Sequence, residues 1–114
     1  MSAPKLDFHA VDNPIVKSAI EAMNVRNKKQ WYELFFDNPL FTDDGNPYDF
    51  TDWCDRELFG SSVAYMASID KVQDGGLTIY GRFHSDQWGD FKTYLRFRVE
   101  NGKITKMDVG QTNY

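Results

Sequence analysis

The sequence predicts an α+β domain in which helices come first and a strongly curved antiparallel sheet follows. Up to about residue 60, apolar side chains recur at spacings of three and four, which is typical of helices with one buried face. From Ser62 onward, apolar and polar residues alternate with period two, which indicates strands. At 114 residues the chain is long enough for a single domain, residues 1–114, with a core of its own.

Three helices are predicted in the N-terminal half. Residues 1–11 have no periodicity and are interpreted as an arm. Asn13 and Pro14 are typical of an N-cap and a first helical position, and the helix they begin should reach about Arg26. A second helix is expected over 27–36 and a third from residue 49 or 51 to 59, with a short extended segment, 40–43, between them.

Four strands in sequential hairpins are predicted after the helices, over 62–73, 77–84, 91–99 and 103–111. Such a sheet has one face to bury, so the helices should cover it. Because long strands coil strongly, we expect a half-open cone with an apolar pocket between helices and sheet.

The register of the last strand depends on the Asn101-Gly102 turn. A two-residue type I′ loop would turn Ile104 and Lys106 towards the core, whereas a three-residue loop with a bulge at Gly102 would bury Met107 and Val109. Burying Lys106 would cost several kcal/mol, and burying Met107 and Val109 would gain roughly 2 kcal/mol each. The sequence therefore favours the bulge at Gly102.

Composition excludes several functional classes. A net charge of −4 argues against nucleic acid as a partner. The apolar runs are too short for a membrane helix, and the single cysteine, Cys54, is typical of a reducing cytoplasm. No metal-ligand cluster and no glycine-rich phosphate loop is present in the sequence, so neither a metal nor a cofactor is predicted.

Aromatic residues make up 16% of the chain, more than a minimal core of this size needs. Some rings are therefore expected to line the pocket, although aromatic residues at helical spacing also form ordinary core. The residues predicted to shape the cavity are Trp31, Phe50, Trp53, Leu95, Phe97 and Met107.

The order of three segments resembles the nuclear transport factor 2-like, or SnoaL-like, superfamily across nearly the whole chain. These segments are Trp31-Tyr32-Glu33-Leu34-Phe35-Phe36, Phe41-Thr42-Asp43-Asp44-Gly45 and the hairpin from Phe97 to Ile104. The resemblance implies a cone-shaped, cystatin-like roll. It does not imply one activity, because the superfamily includes isomerases, dehydratases, epoxide hydrolases, polyketide cyclases and binding modules.

Within that resemblance, ketosteroid isomerase is the closest enzyme template by spacing. Asp43 matches the position of its general base. The tyrosine and the aspartic acid of its oxyanion site fall on Ala19 and Leu95, which cannot donate hydrogen bonds. Steroid isomerase activity is therefore not expected.

Two residues are candidates for acid–base chemistry on an apolar or carbonyl-bearing small molecule. Asp43, at the rim of an aromatic pocket, would have a raised pKa suited to a general base, unless it only caps its own turn. His84, at a strand end, could be a proton-shuttling partner or a solvated loop residue. The rival hypothesis is a non-catalytic module. Lys92, Tyr94, Arg96 and Arg98 alternate on the outer face, which is interpreted as solvated, with Tyr94 indicating a homodimer through the sheet.

Overall fold

The computed structural model describes residues 5–114, and residues 1–4 of the predicted arm lie outside it. The described part of the arm docks on the domain. Val11 is buried, and Leu6 and Phe8 pack against the core, with Lys17 Nζ 5.8 Å from the centre of the Phe8 ring. The arm therefore contributes to the same hydrophobic core as the helices.

The three predicted helices are present, but two strands lie between the second and the third. Helix α1 spans Pro14–Asn24, α2 spans Lys28–Glu33 and α3 spans Phe50–Glu57. Each begins at a side-chain cap, because Asn13, Asn27 and Asp49 all accept hydrogen bonds from backbone N–H groups of the first turn. No helix among residues 5–114 is long and apolar enough to cross a membrane.

The sheet has six strands in the order β2-β1-β6-β5-β4-β3. Strands β3 (Ala64–Gln73), β4 (Thr78–Ser85), β5 (Gly89–Glu100) and β6 (Lys103–Gln111) form the predicted sequential hairpins. Strands β1 (Phe35–Asp43) and β2 (Asn46–Pro47) extend the sheet beyond β6. Because β1 pairs with β6 in parallel, the sheet is mixed, where only antiparallel pairing was expected.

The predicted second helix is too long at its C-terminal end. It stops at Glu33, and Phe35 and Phe36 begin β1. Phe35 is buried and pairs with Ile104, so burial in the sheet outweighs continuation of the helical pattern. The register of β1 shifts between Phe35 and Leu40, where Pro39 has no N–H to donate.

The hairpin of β5 and β6 has the two-residue turn of one predicted register and the inward Met107 of the other. Asn101 and Gly102 both have positive φ, and Val99 pairs with Ile104, so the loop has two residues of type I′ character. The predicted bulge at Gly102 is wrong. The bulge lies after Ile104, because the register shifts between Arg98 and Val99, and it turns Met107 inward as well.

One end of the cone is filled with aromatic side chains. Trp31 is fully buried, with ring-centre distances of 4.8 Å to Phe35 and 6.3 Å to Phe50. Phe97 lies in the same buried cluster. Side-chain hydrogen bonds hold α1 to β3, an edge strand of the sheet, because Asn24 both donates to Met66 O and accepts from Met66 N. We refer to the end of the cone that contains Trp31, Phe35 and Phe50 as the filled end.

Candidate functional site

The other half of the cone encloses a cavity of about 390 Å³, which we call the open end. This volume lies at the lower end of the range of small-molecule sites. Helix α3 and the β1–β2 turn form one side, and β4, β5 and β6 form the floor. The lining residues are Met23, Asp43, Asp44, Tyr48, Trp53, Arg56, Glu57, Leu58, Phe83, Ser85, Trp88, Phe91, Thr93, Leu95, Met107, Val109, Gly110 and Gln111.

Asp43 faces this cavity from the last position of β1. It pairs with Val109 of β6 and is followed by Asp44 and Gly45, which have positive φ and form a tight turn into β2. Asp43 Oδ2 accepts a hydrogen bond of 3.2 Å from the indole Nε1 of Trp53 on α3. The carboxylate is therefore held by the pocket wall.

Asp43 does not cap its own turn. Within residues 5–114, its carboxylate accepts no hydrogen bond from the backbone of the turn. The neighbouring Asp44 is the residue whose side chain accepts a backbone hydrogen bond. Asp44 Oδ1 accepts from the backbone N–H of Gln111 at 2.9 Å. The Asp43 carboxylate therefore lies on the cavity wall and does not cap its turn.

Burial raises the pKa of Asp43, because its charged form loses hydration against the apolar wall. The hydrogen bond from Trp53 opposes this effect by stabilising the carboxylate, whereas the nearby charges of Asp44 and Glu57 raise the pKa further. Glu57 is itself 3.4 Å from Arg56 Nε at the rim. The net effect favours a carboxyl group that can bind a proton more readily than an exposed aspartate.

Half of the predicted cavity residues line the cavity. Trp53, Leu95 and Met107 do so, whereas Trp31, Phe50 and Phe97 are buried in the hydrophobic core and do not line the cavity. The difference follows from position: Trp31 and Phe50 lie between the helices and Phe35, so their rings contact one another instead of open space.

His84 lies on the outer face of the sheet and does not face Asp43. On β4 the inward positions are Ile79, Gly81, Phe83 and Ser85, so the side chain of His84 points to the opposite side. There His84 Nδ1 is 2.5 Å from Asp90 and Nε2 is 2.7 Å from Asp86. Hydrogen bonds to Asp90 and then Asp86 raise the pKa of His84. The predicted pairing with Asp43 is wrong.

The sequence analysis named neither of the two polar residues on the pocket floor as a site residue. Ser85 and Thr93 are buried and line the cavity. Their signal was present in the strand alternation, since Ser85 shares the parity of Phe83, and Thr93 that of Phe91 and Leu95. Thr93 Oγ1 donates to Gly110 O at 2.7 Å, which leaves Ser85 as the more available hydroxyl.

Among residues 5–114 no group of three or more potential ligands is arranged for a metal ion. Cys54 is fully buried in α3, and burial raises the pKa of its thiol well above the usual range, so it is not a nucleophile at neutral pH. Ala19 is buried away from the cavity, and Leu95 lines it without a polar atom. The oxyanion donors of the isomerase template are therefore missing from both positions.

Comparison with solved structures shows which fold this is. A candidate polyketide cyclase from Sinorhizobium meliloti superposes with a TM-score of 0.68 at 16% identity, over 90% of this chain and 99% of that one. An NTF2-like protein of unknown function from Cytophaga hutchinsonii gives 0.66 at 14% identity, over 86% and 87%. A computationally designed 17-OHP binder gives 0.68 at 13% identity, over 87% and 88%.

The sequence matches no protein-family model and no curated protein. These three structures are only 13–16% identical to this chain, so they establish the fold alone. The chain has the NTF2-like, SnoaL-like fold, as its sequence motifs indicate.

Proposed function

We propose that the open end binds a small, largely apolar molecule and that Asp43 acts on it as a general base without a cofactor. The observation that carries this proposal is the position of Asp43: its carboxylate faces a cavity of about 390 Å³ and is held there by Trp53. A base in a partly desolvated pocket is more basic than one in water. Proton abstraction next to a carbonyl, as in isomerases, cyclases and dehydratases, is the matching reaction class.

Fold relatives support small-molecule binding in a general way. One structural match was designed to bind 17-OHP, and another is a candidate polyketide cyclase. The polar content of the cavity favours catalysis over a passive container, because Asp43, Arg56, Glu57 and Ser85 all line it. Since neither Ala19 nor Leu95 can donate a hydrogen bond, we do not extend the proposal to steroid isomerisation.

The test uses 5-nitrobenzisoxazole, a planar probe whose ring opening needs only a base. Asp43 would take the C3 proton, the C–H electrons would form the nitrile and the N–O bond would break to give a coloured phenolate. We expect the rate to rise with pH to a plateau, with a midpoint above the ordinary carboxyl pKa. Asp43→Asn should lower the rate by about 100-fold.

Asp37→Asn is the matched control, because Asp37 lies on the same strand but is exposed outside the cavity. It should retain the wild-type rate. Equal rates for wild type and Asp43→Asn would overturn the catalytic proposal and leave the non-catalytic binding module as the better account.

A second proposal is that the outer face of the sheet joins two copies of this chain. Tyr80 and Tyr94 lie on that face, with Lys71 Nζ 5.4 Å from the Tyr80 ring centre and Arg96 Cζ 5.3 Å from that of Tyr94. Tyrosine and arginine are enriched in the cores of protein interfaces, and a two-fold axis pairs such a patch with itself. A reducing cytoplasm is the compartment we propose, in keeping with the buried free thiol of Cys54.

Sedimentation velocity at micromolar concentration tests the dimer. We expect a dimer for the wild type and a shift to monomer for Tyr80→Glu. Val25→Glu is the control, since Val25 is exposed on the helical side, and it should remain dimeric. A wild-type monomer would contradict this proposal without affecting the pocket.

A further inference from the structure

Three polar side chains are buried among residues 5–114, and they differ in what their hydroxyl hydrogens do. Thr78 Oγ1 donates to Asp74 at 2.6 Å, and Thr93 Oγ1 donates to Gly110 O at 2.7 Å. Ser85, only 5% exposed, accepts hydrogen bonds from the backbone N–H groups of Gln87 and Trp88, both at 3.2 Å. Within the described part of the chain it donates to no acceptor.

A serine hydroxyl has two acceptor sites and one donor. Both acceptor sites of Ser85 are used by its own loop, so the O–H group is the one hydrogen-bonding function left. A buried donor without a partner costs free energy, and Ser85 lines the cavity. The partner must therefore come from the cavity itself, as water or as an acceptor atom of a ligand.

Ser85 and Asp43 line the cavity from different strands and different rows of the sheet. The row of paired residues that contains Asp43 continues through Val109 to Leu95. Ser85 pairs with Gly89, six residues from Leu95 along β5, which is about 20 Å along an extended strand before the curvature of the sheet shortens it. The wall between them carries the apolar side chains of Phe83, Phe91 and Leu95.

We infer that Ser85 is a specificity-determining hydrogen-bond donor that selects ligands with an acceptor, such as a carbonyl oxygen, at the end remote from Asp43. This inference rests on the proposed binding function of the cavity. The ligand class it defines is an elongated apolar molecule with a hydrogen-bond acceptor at the Ser85 end and, at the Asp43 end, a C–H acidified by a carbonyl group of its own. Ser85 does not replace the missing oxyanion donors, because it is not adjacent to Asp43.

The test uses 6-propionyl-2-(dimethylamino)naphthalene, an apolar fluorescent ketone whose emission moves to longer wavelength when its carbonyl accepts a hydrogen bond. We expect wild-type protein to bind it. Ser85→Ala should weaken binding by about fivefold and shift the bound emission to shorter wavelength, because the donor is lost. Ser85→Thr, which keeps the hydroxyl, should resemble wild type in both respects.

The direction of the emission shift separates recognition from loop damage. If Ser85 only supported its loop, Ser85→Ala would admit water and move the emission to longer wavelength, which would overturn the inference. Unchanged affinity and emission would overturn it too. A probe analogue with a propyl group in place of the propionyl group requires no variant to fold: wild type should bind the analogue about fivefold more weakly than the ketone, and equal affinities would contradict the inference.

The failure of this inference is distinguishable from failure of the proposed function. If 5-nitrobenzisoxazole turnover depends on Asp43 but the ketone does not bind, the assignment of Ser85 alone is wrong. If the ketone responds to Ser85 but turnover ignores Asp43, the cavity is a binding site without the proposed base.

Discussion

The filled end and the open end share one sheet face and differ in what covers it. At the filled end, Trp31 and its aromatic neighbours leave Trp31 0% exposed. At the open end, α3 borders the cavity, and Trp88 at the rim is 67% exposed. The comparison teaches that the aromatic content of this chain has two purposes: one group of rings holds the domain together, and the other surrounds a cavity.

The largest expected effect is on the free energy of unfolding, when one tryptophan from each end is replaced by alanine. Trp31→Ala should lower the free energy of unfolding by about 3–5 kcal/mol, because a large buried side chain is lost. Trp88→Ala should change it by only about 0.5 kcal/mol and instead weaken binding of the naphthalene ketone. Urea denaturation measures both variants. Similar losses of stability in the two variants would contradict the difference proposed between the two ends.

The helices and the sequential hairpins were largely predictable because their signals are local. Asn13 and Asn27 caps, apolar residues at helical spacing and alternation in β5 all reflect neighbours in sequence. Strand β1 was not predictable in this way, since Phe35 and Phe36 continue the apolar pattern of α2 and their partner, β6, lies about 70 residues later. The bulge after Ile104 was not predicted, because each of the two registers considered buries some apolar residues of β6.

The second effect concerns stability at the open end. Because the pKa of Asp43 is raised in the folded protein, the folded state binds this proton more tightly than the unfolded chain does. Ionised Asp43 therefore destabilises the fold as pH rises from the ordinary carboxyl range through the folded pKa.

Asp43→Asn should consequently melt higher than wild type at pH 7, by up to a few degrees, and lose this advantage towards pH 3. Thermal unfolding followed by circular dichroism is the measurement, with Asp37→Asn as control. A lower midpoint than wild type at pH 7 would mean that the carboxylate is stabilised, not strained, in its pocket.

A smaller effect should follow from the Trp53 indole. Its hydrogen bond lowers the pKa of Asp43 against the effect of burial. Trp53→Phe keeps an aromatic wall but removes the donor, so the midpoint of the pH–rate profile with 5-nitrobenzisoxazole should move to higher pH. A midpoint that stays in place or moves down would show that this hydrogen bond does not set the basicity of Asp43.

The smallest effect is expected on the outer face. Since Asp90 and Asp86 raise the pKa of His84, its charged form stabilises the fold fully below the unfolded pKa of about 6.5, and this contribution is lost as pH rises through the folded value. His84→Gln should therefore lower the melting temperature more at pH 5.5 than at pH 9 and leave turnover of the probe unchanged. Loss of turnover would return His84 to the site.

The candidate site was predictable in part. Asp43 followed from a motif in one segment, and Trp53, Leu95 and Met107 followed from apolar pattern. The side of the sheet on which His84 lies was not predictable. It depends on which residues of β4 point inward, and the sequence does not show this so close to the loop that follows. Ser85 was missed for the same reason: only the phase that places Phe83 inward also places Ser85 inward.

The most direct test of two distinct ends uses the three tryptophan indole N–H resonances, assigned by single Trp→Phe variants. Addition of the naphthalene ketone should shift the Trp53 and Trp88 resonances and leave Trp31 in place. Lowering the pH should move the Trp53 resonance as Asp43 binds a proton, with a midpoint above the ordinary carboxyl range. A Trp31 resonance that shifts most on addition of the ketone, or a Trp53 resonance that ignores both changes, would contradict the account.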